Sequence, residues 1–345
     1  MRPRALGPLV VFGALLAGAL APPTEGCDST SCALLTRGQK GVVPKGGWVV
    51  DFSLRYTDEG QPLAGSTPTT LAVRPLVDFA DRKLQPFYHL ELDGSDTILQ
   101  TDAAYGVTSR LAVTASLALL GVHSYNHLHY APPPDPNAPA DPEHGHGGAS
   151  PSGPTLLHLR TEGNGDAFVG FRYALVAAPA QRLLAGFSMK LPTGRSQIID
   201  PHQGGYFDPS MQPGTGSFDA SMAAQYWLRA AGLDWTASGS YLLARANGLG
   251  YKFGNEAIAG LGVGRDLGRF TATVQLKGHH LDRSEYLGQG VPSTGGSMLV
   301  LTPGVRMRSG QASLYTFLQF PVHREVNEYQ LATRGSVLMG VSRSF

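Results

Sequence analysis

Apolar and polar residues alternate along this chain with a period of two, in segments of about ten residues. In 48–56, for example, Trp48 and Phe52 fall on one side of an extended backbone, and Asp51 and Arg55 fall on the other. This is the period of a β-strand, because a helix would place its apolar residues three and four positions apart. The pattern predicts about twelve strands, at 48–56, 97–106, 111–119, 167–176, 181–191, 217–227, 235–243, 255–265, 270–277, 297–307, 312–322 and 333–345.

The connections between the predicted strands alternate in length. The tight ones are 107–110, 177–180, 229–234, 266–269 and 308–311. The others are mostly longer and richer in proline, glycine and charge, at 57–96, 120–166, 192–216, 244–254, 278–296 and 323–332. Short turns at one end and long loops at the other are typical of bacterial outer-membrane barrels. We therefore predict an all-β fold, a transmembrane antiparallel up-and-down β-barrel over 47–345. The rival fold is a secreted β-sandwich, whose connections need not alternate in this way.

The first residues have the pattern of a secretory signal peptide. Arg2 and Arg4 precede an apolar run that ends in the small-x-small site Ala19-Leu20-Ala21. We expect removal of residues 1–21, or cleavage as late as residue 26, because Pro22 hinders cleavage just before it. The alternative is a membrane-anchoring helix, for which the apolar run is short. Export of a barrel predicts the outer membrane of a Gram-negative-type envelope.

Residues 22–46 are predicted to form a periplasmic segment or a plug for the barrel. They contain both cysteines of the chain, Cys27 and Cys32. An oxidising periplasm favours a disulfide between them. Lipidation of Cys27 and metal binding by the pair remain alternatives, although no nearby histidine completes a structural zinc site.

The last predicted strand ends in an aromatic residue, Phe345. A terminal aromatic on an amphipathic strand resembles the signal that barrel-assembly machinery recognises. We therefore expect the lipid bilayer and that machinery as partners, and a monomeric barrel.

Composition excludes several functions. Charged residues make up 15% of the chain, against roughly 25% in ordinary soluble domains. The net charge of +1 gives no reason to expect a nucleic-acid partner. Some twelve-stranded barrels hydrolyse lipids, but this requires a serine, a histidine and an orienting partner at one edge. Because no nucleophile motif is evident, we expect no enzyme and no catalytic residues.

Four short motifs occur at predicted strand ends: Tyr105-Gly106-Val107-Thr108-Ser109-Arg110-Leu111, Gly163-Asn164-Gly165-Asp166, Lys190-Leu191-Pro192-Thr193-Gly194 and Gln212-Pro213-Gly214-Thr215-Gly216. In their order and spacing the chain resembles the outer-membrane family named for the meta-pathway of phenol degradation, whose members are regarded as transporters. The resemblance covers most of the mature chain. It implies a small barrel that passes aromatic or other small apolar compounds.

Polar residues on the inner faces of the strands are candidates for lining a lumen. They are Asp51, Arg55, Gln100, Asp102, Arg172, Lys190, Asp219, Gln225, Glu256, Gln275, Lys277, Arg306 and Arg334. Rings of such charges select among solutes in channels. Alternatively the side chains pair with one another and fill the interior, because twelve strands lie between the filled and the open barrels.

The predicted outer loop at about 120–166 is rich in histidine and proline. Its candidate metal ligands are His123, His127, His129, His144 and His146. Imidazoles beside carboxylates suit zinc, copper or nickel. A solvated surface loop without metal is the alternative, because ordering a flexible loop around an ion costs entropy.

Together these features predict a passive outer-membrane channel for small solutes, without a cofactor apart from a metal held weakly by the histidine-rich loop. A metal-binding barrel and a closed structural barrel are the alternatives.

Overall fold

A computed structural model describes residues 43–129, 155–201 and 205–345. Twelve antiparallel strands form a closed barrel, which confirms the predicted fold. Numbered in chain order, they are β1 Trp48–Asp58, β2 Lys83–Gly106, β3 Leu111–His129, β4 Ala167–Ala178, β5 Gln181–Leu191, β6 Asp219–Ala230, β7 Leu233–Leu243, β8 Glu256–Leu267, β9 Phe270–Leu281, β10 Gly296–Ser309, β11 Ala312–Val326 and β12 Ser336–Ser344. Over the described ranges, no helix is long and apolar enough to cross a bilayer.

The barrel closes between its first and last strands. β1 pairs with β12 on one side and with β2 on the other. The backbone N–H of Phe345 donates to the carbonyl oxygen of Trp48 at 2.9 Å, and the N–H of Trp48 donates back at 3.2 Å. Both residues lie at the end of the barrel that carries the tight turns, which we call the tight-turn end. The opposite end is the loop end. Closure pairs every barrel strand on both sides, as a bilayer requires.

The two faces of the barrel wall differ in polarity. The outer face exposes apolar side chains at alternate positions, including Trp48, Phe52, Leu54, Tyr56, Val113, Phe171, Tyr173, Met189, Trp235, Tyr241, Leu261, Val274, Leu276, Leu314, Met339 and Val341. Between them lie buried polar residues that face inward, such as Asp51, Ser53 and Gln100. Apolar side chains exposed on the outer face would be unfavourable in water, whereas a surrounding lipid bilayer stabilises them. The outer surface is therefore the lipid-facing surface of the barrel.

Strand β8 is rich in glycine on its inner face. A Cβ atom on Gly262 would lie 2.9 Å from Cγ of Gln275, and one on Gly260 would lie 3.4 Å from Cγ of Lys277. Both neighbours belong to β9, which pairs with β8. The glycines that weaken the alternating pattern of this strand therefore make room for long polar side chains on the next one.

Strands β2 and β3 are much longer than the sequence predicted, and they pair as far as Leu90 and Leu128. The predicted loops 57–96 and 120–166 were wrong in these parts. A bulge at the Leu99/Gln100 step shifts the register of β2 against β3. The ladder skips Leu119 of β3 at this step and Leu92 of β2 farther toward the loop end. Because an extra residue reverses which side chains face inward, the alternation breaks at Leu119, which hides the continuation of β3. Ala72–Asp78 pairs with the extended part of β2, and Thr155–Gly163 pairs with that of β3.

The outer loops pack into a cap with apolar clusters of its own. One cluster contains Ala72, Tyr125, Leu159, Phe207, Met211 and Leu331. Another contains Val77, Tyr251, Tyr286 and Val291. The cap includes the strands Gln61–Ala64, Thr67–Pro68, Tyr251–Lys252, Glu285–Tyr286, Gln289–Gly290 and Tyr329–Ala332 and the 3₁₀ helix Pro209–Met211.

A two-pronged ion pair joins two segments of this cap. The guanidinium of Arg283 donates to both carboxylate oxygens of Glu328, at 2.6 and 2.9 Å. Hydrogen bonding by Arg283 holds the pKa of the Glu328 carboxyl below its ordinary value. The pair therefore keeps its charge at neutral pH and ties the last two outer loops together.

The chain enters the barrel at the tight-turn end. Val43 is buried against Ala104 and Ala112, which face inward from β2 and β3. A Cβ atom on Gly106 would lie 2.0 Å from the carbonyl oxygen of Pro44, so only glycine fits in this part of the first turn motif. Cys27, Cys32 and the predicted signal peptide lie outside the described residues, and their predictions stay untested.

Candidate functional site

A cavity of about 230 Å³ lies inside the loop end of the barrel, beneath the cap. Eight neighbouring strands, β2 to β9, contribute to its wall together with the outer loops. Its acidic lining residues are Asp96, Asp166, Asp219 and Glu256, and its aromatic ones are Tyr125, Phe168, Tyr251 and Phe253. The cavity therefore combines apolar ring surfaces with buried charges, as ligand pockets commonly do.

Three of the four sequence motifs meet at the wall of this cavity. One carboxylate oxygen of Asp166 accepts the N–H of Gly194 at 2.9 Å. The other accepts the N–H and the hydroxyl of Thr215, at 2.9 and 2.7 Å. The ammonium of Lys190 forms an ion pair with Asp219 and lies 3.7 Å from Asp166. These three charged side chains are almost fully buried, so the ammonium of Lys190 stabilises both carboxylates in a medium of low dielectric constant.

The motif glycines allow the three segments to approach this closely. A Cβ atom on Gly194 would lie 2.7 Å from Cα of Gly214 and 2.8 Å from the carbonyl carbon of Gly165. A Cβ on Gly214 would in turn lie 2.6 Å from the carbonyl carbon of Gly194. These are backbone atoms, which cannot turn aside as a flexible side chain can.

Replacing Gly194 with valine is expected to destabilise the barrel by about 1–3 kcal/mol, because the added side chain overpacks a backbone contact. The midpoint of urea unfolding in detergent measures the loss. Gly278→Val is the matched control, since the space around a Cβ at that position is open. Equal midpoints for wild type and Gly194→Val would contradict the close approach of the motifs.

Two of the predicted metal ligands interact with carboxylates on the neighbouring strand. His123 and His127 lie on β3, not in an outer loop, because the strand continues to His129. Nδ1 of His123 lies 2.6 Å from Asp96, and Nε2 of His127 lies 3.4 Å from Glu91. Each histidine lies directly opposite its carboxylate partner in the β2–β3 ladder, and all four side chains are buried.

The described ranges contain no group of three or more histidine, cysteine, aspartate or glutamate residues that could hold a metal ion. His144 and His146 lie outside those ranges. Metal capture by the histidine-rich segment therefore stays a prediction.

Most of the predicted lumen residues alternate with the exposed apolar positions, on the inner face. Those in the barrel interior are Asp51, Arg55, Gln100, Asp102, Arg172, Gln225, Gln275, Lys277 and Arg306. Lys190, Asp219 and Glu256 line the cavity.

Several of these interior residues form hydrogen bonds with one another or with neutral neighbours. The hydroxyl of Tyr315 donates to Asp51 at 2.7 Å, and the Arg306 guanidinium lies over the Tyr315 ring at 4.9 Å. Gln100 donates to Asp102 at 3.0 Å. In part of the interior, the side chains therefore interact with one another, as the alternative to an open ring of charges predicts.

Arg334 does not occupy the position that the sequence predicted. The last strand begins at Ser336 and not at residue 333, so Arg334 lies in the preceding loop and is exposed. Its guanidinium donates to the carbonyl oxygen of Gly60 at 2.7 Å. The residues before it, Tyr329–Ala332, pair with Gln61–Ala64 in the cap and therefore do not continue β12.

The sequence did not identify two histidine–carboxylate pairs at the cavity, His123–Asp96 and His279–Glu256. Asp96 was placed in a loop, and the interaction of His279 with Glu256 at 2.9 Å was not foreseen. Asp166 was noticed only as part of a turn motif. The motifs at the strand ends were the one available signal for this site, but their order in the sequence does not show which of them touch.

Comparisons with known proteins agree with the barrel fold. No protein-family model and no curated protein match the chain. Among solved structures, an outer-membrane channel from Pseudomonas putida F1 superposes with a TM-score of 0.57 at 10% identity, covering 89% of this chain and 98% of the other. The translocator domain of the autotransporter NalP from Neisseria meningitidis gives 0.45 at 10% identity, covering 98% of both chains. At such low identity, the first similarity shows the fold alone: this chain has the fold of an outer-membrane β-barrel.

Proposed function

We propose that this protein is an outer-membrane channel through which small solutes diffuse passively. The observation that carries the proposal is the cavity of about 230 Å³ between the barrel wall and the cap. A lipid-facing exterior around a polar interior is the usual architecture of passive channels. Secretory export, assembly through the terminal Phe345 and a monomeric state are parts of this proposal.

The solutes proposed are small aromatic or apolar compounds. Phe168, Tyr125, Tyr251 and Phe253 give the cavity ring surfaces on which such a compound can pack. Membership in the meta-pathway family is part of the same proposal. Three of the four motifs in which the chain resembles that family support it, because they meet at the wall of the cavity.

The N-terminal segment 22–46 is proposed to narrow the lumen at the tight-turn end. Val43 supports this role, because it packs against the inner-face residues Ala104 and Ala112. A solute would therefore pass the cavity at one end and this segment at the other.

Single-channel recording in planar bilayers tests the proposal. The purified protein should give discrete conductance steps, and Leu242→Trp should reduce them, because Leu242 lines the cavity. Leu243→Trp is the matched control, since this neighbouring side chain is exposed on the outer face. A barrel that inserts but stays silent, or equal conductance of the two variants, would rule out passage through the cavity.

A further inference from the structure

Lys277 carries a buried amine on the inner face of β9. It lies two residues before His279 on the same face of the strand, nearer to the tight-turn end. His279 interacts with Glu256, which lines the cavity. Its side chain is 6% exposed. The amine is enclosed and makes no hydrogen bond to any residue that the structure describes. An ammonium in this position is costly to bury without a partner of opposite charge.

A second polar group beside it shares this property. Gln275 pairs with Thr302 across the β9–β10 ladder, and Lys277 pairs with Val300, which makes Lys277 and Thr302 diagonal neighbours on one face. Such neighbours lie within reach of a long side chain. The Thr302 hydroxyl is also fully buried, and among the described residues it has no hydrogen-bond partner. Two donors therefore face the same part of the interior without an acceptor.

The surrounding charges favour an anion there. Arg55, on β1, lies close enough to repel the charge of Lys277. The interior carboxylates Asp51 and Asp102 accept hydrogen bonds from Tyr315 and from Gln100. At the cavity, Asp219 forms an ion pair with Lys190. Among the described residues, the charged side chain that acts on Lys277 is a second cation, Arg55.

We propose that Lys277 and Thr302 form an anion-binding constriction, which binds the carboxylate or another small anionic group carried by an otherwise aromatic or apolar solute. This deepens the proposed channel function and rests on it. The enclosed amine makes this level narrow, so the side chains around it must move as a solute passes. A cation fixed at a narrow point attracts anions and repels cations, which is how charged rings select in channels. Gly260 permits the arrangement, because its missing side chain leaves room for the lysine stem.

Reversal potentials across a potassium chloride gradient test this inference. The wild-type channel should prefer chloride over potassium. Lys277→Gln should lower the chloride-to-potassium permeability ratio by about fivefold, which corresponds to about 1 kcal/mol. Lys83→Gln is the matched control, because it removes the same charge from the exposed outer tip of β2, beyond the part of the strand that pairs with β3, and its ratio should equal that of wild type.

Folding is checked separately with Lys277→Met, which keeps the length of the side chain and removes its charge. This variant should raise the urea midpoint, because it relieves an unpaired buried charge. A wild-type preference for potassium, an unchanged ratio in Lys277→Gln, or a lowered midpoint in Lys277→Met would overturn the constriction while the channel itself stands. Absence of any conductance would instead remove the channel proposal, and the constriction with it.

Discussion

Replacing Val274 with arginine is expected to destabilise the membrane-inserted barrel by about 2–4 kcal/mol. Val274 lies in the middle of β9, and its side chain is exposed on the outer face. A guanidinium there must enter the hydrocarbon region, and it is too far from the interface to reach water easily. Urea titration of folding into phospholipid vesicles measures the loss.

The adjacent position supplies the control for this experiment. Gln275 belongs to the same strand but faces the polar interior. Gln275→Arg should therefore change the free energy of unfolding much less than Val274→Arg does. If arginine is tolerated equally well at both positions, the outer surface is not in contact with lipid, and the barrel does not span a membrane in the way described.

Removing the Asp166 carboxylate should be the most damaging change within the cavity wall. Asp166→Ala leaves two backbone N–H groups and the Thr215 hydroxyl without their acceptor, and it takes one of two carboxylates away from Lys190. Breaking such a buried charged network typically costs about 3–5 kcal/mol. Thermal unfolding can be followed by the change in mobility of the barrel on a detergent gel. The transition temperature of Asp166→Ala should fall clearly below that of wild type.

An exposed aspartate provides the comparison. Asp81 pairs with Lys83 at 2.8 Å on a turn where both side chains are solvated. Asp81→Ala should leave the transition temperature unchanged, since exposed pairs contribute little. A transition of Asp166→Ala indistinguishable from that of Asp81→Ala would show that the three motifs are not held together through this carboxylate.

The twelve strands could be predicted because their signal is local. Whether a side chain faces lipid or the interior changes at every residue, so the alternation around Phe52 or Val274 is written into neighbouring positions. The tight turns were readable for the same reason. Prediction failed where a local irregularity broke the period, as at the extra residue Leu119 opposite the Leu99/Gln100 step, which hid the continuation of β3.

The sequence by itself thus determined that the chain forms a closed barrel with a lipid-facing exterior, and approximately where each strand lies. Only the tertiary structure decided what the polar residues do. His123 meets Asp96, Asp166 meets Thr215 across 49 positions, and Lys277 is left without a partner among the described residues. The physical reason is that such contacts depend on strand register, bulges and loop paths, which bring together residues far apart in sequence, whereas alternation depends only on the next residue along the chain.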